Sequence, residues 1–121
     1  MLAGCTPWPQ EFQRRYRAAG YWQDITLWRM FEESAARTPD NIAVVFENRR
    51  VTYRELEQRI NRLASKFAER GLKNRDRVIF QLTNSLEFVY AFFALIKIGT
   101  VPVMALPAHR RTEISHFVQH S

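Results

Sequence analysis

Three histidines, a single cysteine and a scatter of arginines are the side chains whose types and spacing bear most directly on chemistry. His116 and His120 stand four residues apart, with Glu113 one turn earlier and His109 nearby, a spacing that on a helix aims imidazoles at a common point as a transition-metal site requires. No cysteine or carboxylate constellation completes such a site, so a polar helix face is the expectation and no metal is predicted. A thiol nucleophile needs a base beside it, and Cys5 has no evident partner. Phosphate cradles need clustered glycines, because the backbone must approach the phosphates and point several amide protons at them. Gly4, Gly20, Gly71 and Gly99 are widely separated and no Gly-Lys-Ser/Thr occurs. No catalytic, cofactor-binding or metal-binding residue is therefore assigned.

The chain of 121 residues carries 18 Lys+Arg against 12 Asp+Glu, a formal charge of +6. Arg14, Arg15 and Arg17, then Arg59, Arg62, Lys66 and Arg70, then Arg110-Arg111 could follow a phosphate backbone. Glu55, Glu57 and Glu69 share the second group's segment, and Glu55 stands four residues before Arg59, so a solvated face is expected there rather than a nucleic-acid site. Phe88, Tyr90, Phe92 and Phe93 lie in the most apolar segment, away from the cations, which suits a core and not base stacking. The longest apolar run, 88–96, is far shorter than the ~20 residues that span a bilayer, and Glu87 and Lys97 bracket it, so no transmembrane helix is predicted. Leu2-Ala3-Gly4-Cys5 matches a lipoprotein cleavage box, but the basic and apolar stretches such a signal needs do not precede it, and the match is read as chance. One cysteine allows no internal disulfide, which suits a reducing compartment, and the cytoplasm is expected.

With 46% apolar and 13% aromatic residues the composition is that of a folding segment with one core. Pro9 opens a helix over about 9–19, with Phe12, Tyr16 and Ala19 on one face and Gly20 beyond its end. Thr26 caps a second helix carrying Leu27, Met30, Phe31, Ser34 and Ala35, which Pro39-Asp40 breaks. Residues 42–46 and 51–53 read as a hairpin turned by 47–50. Thr52 and Glu55 have capping-box spacing and start a third helix, whose seam is Leu56, Ile60, Leu63 and Phe67 and which Gly71 closes. A strand over 78–82 follows, then a cap at Asn84-Ser85. A helix over 86–98, apolar on nearly every side, must be covered all round, and Gly99 ends it. A strand over 101–106 and a last helix, capped by Thr112 and carrying Ile114, Phe117 and Val118, complete the chain. Strands alternating with helices indicate an α/β fold with a parallel or mixed sheet flanked by helices, and no repeat or second domain is visible. Taken on its residues alone, the sequence describes a basic α/β segment with no visible catalytic machinery.

Three blocks in order then add a resemblance: Thr6-Pro7-Trp8-Pro9 with Phe12, Arg15-Tyr16 and Gly20-Tyr21-Trp22; Thr52-Tyr53-Arg54-Glu55-Leu56; and Leu106-Pro107-Ala108-His109-Arg110-Arg111 with Glu113-Ile114. The chain resembles the N-terminus of an aryl-acid adenylating enzyme of the 2,3-dihydroxybenzoate–AMP ligase type. The 52–56 block resembles the first core motif of the adenylate-forming superfamily, and Lys97-Ile98-Gly99-Thr100-Val101-Pro102-Val103 resembles its second. The opening block and the 106–111 block narrow the resemblance to aryl-acid activators. Cys5 stands where that group more often has an aromatic residue.

The resemblance covers essentially the whole chain but only about the first quarter of a family enzyme. It implies residues 1–25 as an N-terminal arm and 26–121 as the start of the α/β core of the large domain. Such enzymes join an aromatic carboxylate, 2,3-dihydroxybenzoate or salicylate, to ATP with magnesium, release pyrophosphate, and pass the aryl group to the phosphopantetheine thiol of a carrier protein in siderophore biosynthesis. Their phosphate loop, aryl pocket, ribose-holding Asp, hinge and catalytic Lys lie beyond the position matching Ser121, so no cofactor is expected on this chain and the segment alone is expected to be inactive. The partner expected first is the remainder of the ligase, then the aryl acid and the aryl carrier protein, with neither nucleic acid nor membrane. Two rivals are an interaction subunit that complements a separately encoded remainder and a basic nucleic-acid-binding module.

Overall fold

The computed structural model describes residues 6–121, so Cys5 and the 2–5 box lie outside the described residues. Nine elements follow in order: α1 (Gln10–Ala18), α2 (Leu27–Arg37), β1 (Ile42–Phe46), β2 (Arg49–Thr52), α3 (Tyr53–Glu69), β3 (Arg77–Phe80), α4 (Leu86–Lys97), β4 (Val101–Met104) and α5 (Arg111–His120). The class is α/β. The strands form two separate ladders, β1–β2 antiparallel and β3–β4 parallel, the latter joined through α4.

Local chemistry sets the boundaries. Thr26 accepts the Arg29 amide proton at 3.1 Å and so starts α2. At α3 the capping box is complete: Glu55 N–H donates to Thr52 Oγ1 at 3.2 Å, and Thr52 N–H donates to the Glu55 carboxylate at 2.9 Å. The hairpin turn is shorter than the 47–50 expected. Glu47 takes a positive φ of 51°, which reverses the chain in two residues, so Arg49 and Arg50 join β2 and Tyr53 opens α3 instead of ending a strand. The third helix's buried row is Leu56, Ile60 and Ala64, one residue every four. Leu63 and Phe67 lie half-buried on its flank.

These side chains meet Leu86 and Ala94 of α4, Phe31 and Ala35 of α2, and Val51 of β2 to make the core. Phe31 lies 5.0 Å from Phe93 and 6.0 Å from Tyr53, centroid to centroid, which ties α2 to both neighbours. The all-round cover anticipated for α4 is incomplete. Leu86, Ala94 and Leu95 are buried while its other apolar residues stay part-exposed. In α1, likewise, no residue is buried, so the Phe12–Tyr16–Ala19 face has no core beneath it.

The parallel pair runs from Arg77 opposite Val101 to Phe80 opposite Met104. Val101 and Ala105 donate to the carbonyls of Asp76 and Phe80, so the missing N–H of Pro102 points to the far edge. Both strands end two residues earlier than the sequence suggests, because the last ladder bond falls at Ala105. At the other end of the pair Gly99 has φ +80°, and a Cβ there would lie 2.5 Å from Asn74 Oδ1. Glycine is required where that turn approaches. No helix among the described residues is long and apolar enough to cross a membrane.

Candidate functional site

The parallel pair decides where a ligand site would lie, since ligands of α/β sheets gather beyond the carboxyl ends of the strands. Beyond β3 and β4 an open cleft of about 500 Å³ is lined by Leu82, Thr83, Asn84, Phe88, Met104 and the Leu106-Pro107 start of the next loop. Its inner side is aromatic: Phe80 packs 5.0 Å from Phe88, which stacks in turn at 6.2 Å on Phe92. Ser85 follows the lining residue Asn84, and its hydroxyl accepts the Phe88 amide proton at 3.1 Å and so serves as the cap of α4.

The loop over 105–110 is held by Gln81 and by its own polar groups. Gln81 Nε2 donates to the carbonyls of Leu106 at 2.8 Å and His109 at 3.0 Å, and the Leu106 amide donates to His109 Nδ1 at 3.1 Å. The last bond requires the His109 ring proton on Nε2. The His109 ring packs 5.3 Å from Phe117 of α5. Arg110 donates from Nη1 to the carbonyls of Pro107 at 2.9 Å and His109 at 3.2 Å, and its amide donates to the Glu113 carboxylate at 2.9 Å. The α5 cap is therefore Arg110, not Thr112. Glu113, from within the helix, satisfies the orphan amide of Arg110. That amide bond also holds the Glu113 carboxyl below its ordinary range, as the Thr52 amide does for Glu55 and the Arg17 guanidinium for Asp24.

The residues singled out for metal chemistry separate accordingly. His116 and His120 do come together, with ring centroids 4.1 Å apart, but His120 Nδ1 lies 2.9 Å from the His116 carbonyl, within hydrogen-bond distance. His109 and Glu113 are engaged with the loop and the helix cap. Among the described residues no three His, Cys, Asp or Glu side chains group to hold an ion. Arg17 folds onto Asp24 at 2.7 Å and over the Trp22 ring at 4.8 Å, which clamps the 22–24 segment to α1. Gln81, which carries the loop, had no signal in the sequence, because its partners lie 25 and 28 residues away.

The site thus presents an apolar wall and a hydrogen-bonded loop, which can position a ligand or a neighbouring element. A segment of an α/β protein, with a cleft at the carboxyl ends of its parallel strands, is the class that this defines. Residues 31–121 match the family model described as AMP-binding enzyme. The chain is 46% identical over 121 residues to the vibriobactin-specific 2,3-dihydroxybenzoate-AMP ligase of Vibrio cholerae, covering all of this chain and 22% of that protein. It is 43% identical over 119 residues to the 2,3-dihydroxybenzoate-AMP ligase of Bacillus subtilis, with 98% and 22% covered. Its structure superposes on apo MbtA of Mycobacterium smegmatis with a TM-score of 0.90 at 45% identity, covering 97% of this chain and 22% of that one. The chain belongs to the AMP-binding enzyme family, and its fold is that of the N-terminal part of adenylate-forming enzymes. It spans about a fifth of the length of the curated relatives it matches.

Proposed function

We propose that the chain is the N-terminal portion of a ligase that activates 2,3-dihydroxybenzoate or salicylate with ATP and transfers the aryl group to a carrier-protein thiol in siderophore biosynthesis. The observation that carries this reading is the 46% identity sustained over all 121 residues to an enzyme of that name. Residues 1–25 serve as the arm and 26–121 as the start of the α/β core. The aryl acid and the carrier protein are partners of the whole enzyme, as is ATP with magnesium, and its place is the cytoplasm, where ATP is present.

The β3–β4 cleft does not fit the magnesium-nucleotide itself. The β3–β4 cleft is mainly apolar, and no acidic trio suited to a cation forms among the described residues. Attack of an aryl carboxylate on the α-phosphorus builds charge that positioned cations and amide donors must stabilise, and the chain's part is to hold the scaffold on which other segments supply them. Alone it is inactive. The test is aryl-acid-dependent ATP–pyrophosphate exchange. Exchange by the intact ligase and none by this chain is expected. Turnover by the chain alone overturns the scaffold role, and an intact protein that ignores both aryl acids overturns the substrate.

An open apolar groove favours the second reading, in which the chain joins a separately encoded remainder. Leu27, Met30, Phe31, Tyr53, Phe92 and Phe93 line about 310 Å³ between α2 and α4 that nothing among the described residues fills. Co-expression with that remainder is expected to give a complex with restored exchange, and its failure to do so sinks this reading.

A further inference from the structure

Away from the strand ends, the fold assembles a second polar site that the sequence divides between two elements. Arg49 and Arg50 of β2 and Arg59 and Arg62 of α3 line one open cleft of about 400 Å³, with Tyr90 of α4 also in its wall. Arg59, Arg62 and Tyr90 continue into an adjoining cleft of about 310 Å³ that adds Lys66. Three cations elsewhere are paired, Arg17 with Asp24, Arg29 with Glu32 and Glu33, and Arg54 with Asp40. None of the five cations of the two clefts forms an ion pair among the described residues. The one carboxylate on the wall, Glu55, is turned to the Thr52 amide and hydroxyl and serves the helix cap.

Like charges gathered without counter-charges oppose folding, and a bound anion removes that opposition. Arginine forks match phosphate oxygens two at a time, and the cleft has the volume of a small-molecule site. Four positive charges around such a space, with Lys66 in the adjoining cleft, call for several negative charges on a compact ligand. The concavity argues against a flat protein surface. Bases of a nucleic acid would find only Tyr90 to stack on, since Phe88, Phe92 and Phe93 pack against Phe80 and Phe31. We propose that this cleft binds a condensed phosphate, either free pyrophosphate or the triphosphate tail of a nucleotide. The inference stands on these side chains and not on the reaction assigned to the whole enzyme.

Calorimetric titration of the intact chain with pyrophosphate, tripolyphosphate, ATP and AMP tests it. Saturable binding of pyrophosphate and tripolyphosphate is expected. Arg59→Gln/Arg62→Gln should weaken it by about a hundred-fold, on the order of ten-fold for each charge-assisted hydrogen bond removed. Arg14→Gln/Arg15→Gln, which removes the same charge from α1, should leave affinity within about two-fold, because neither residue lines the clefts. ATP binding as tightly as tripolyphosphate identifies the nucleotide tail as the source, and pyrophosphate binding without ATP identifies the free ion. No saturable binding, equal weakening in the two double variants, or displacement by duplex DNA at equal charge overturns the proposal. Should Arg59→Gln/Arg62→Gln melt earlier than the native chain, Tyr90→Phe and Arg50→Gln decide the matter at separate points of the wall.

Discussion

Replacing Ile60 by alanine tests the core assignment where structure and periodicity disagree. On the helix seam read from the sequence, Ile60 and Leu63 rank equally. In the structure Ile60 is 0% exposed, whereas Leu63 is half-buried on the flank. Ile60→Ala removes three carbons, worth about 2.4 kcal/mol of transfer free energy at about 0.8 kcal/mol per methylene. The cavity adds to this, because Ala64 and Ala94 in the same cluster are too short to close it, which brings the cost to about 4 kcal/mol within the range of such truncations. Leu63→Ala removes the same number of carbons from a site that water reaches, and about 1 kcal/mol is expected. Against a total stability of about 5–15 kcal/mol the first change is severe and the second mild. Urea unfolding followed by circular dichroism measures both. Equal costs, or an Ile60→Ala cost below about 1 kcal/mol, would refute the packing argument.

Two further outcomes follow from hydrogen bonds. The ionised forms of Glu55 and Glu113 are favoured in the folded chain by the amides of Thr52 and Arg110, so the stability they add is present above the usual glutamate value near 4.5 and is lost as pH falls through the lowered folded values. Thermal melting on acidification should therefore decline less steeply in Glu55→Gln/Glu113→Gln than in the native chain, and parallel curves would contradict the assignment. Gln81→Leu deletes two donations to the 106–109 loop, and amide exchange at Leu106 and His109 should quicken by about ten-fold, the loss of roughly one net hydrogen bond, with exchange in α3 unchanged. An unchanged loop would show that His109 and Arg110 hold it without Gln81.

Much of the fold was legible because its signals are local. The caps at Thr26, Thr52 and Ser85, the breaks at Gly20, Gly71 and Gly99, and the strands at 42–46 and 101–104 depend on neighbours within a few residues. The misplacements are local as well, but they turn on competition. Thr112 is a good cap residue, yet Glu113 reaching back to the Arg110 amide starts α5 earlier, and Glu47 accepts a left-handed conformation that shortens the hairpin turn. The family motifs at 52–56 and 97–103 were readable too, and the structure gives both a packing role: one caps α3, the other carries the chain past Asn74 into β4.

What the linear order could not reveal is which distant groups meet. Helical spacing predicts that α4 is apolar on most sides but not which sides α2, α3 and β3 reach, because burial is a property of the packed assembly. The Arg59–Lys66 stripe, read by itself, is a solvated helix face. Only the return of the β1–β2 hairpin alongside α3 brings Arg49 and Arg50 to the same cleft, and charge density there depends on distance in space, not along the chain. Gln81 and the 106–109 carbonyls are joined for the same reason: parallel pairing of β3 with β4 closes a loop of more than twenty residues that no local signal spans.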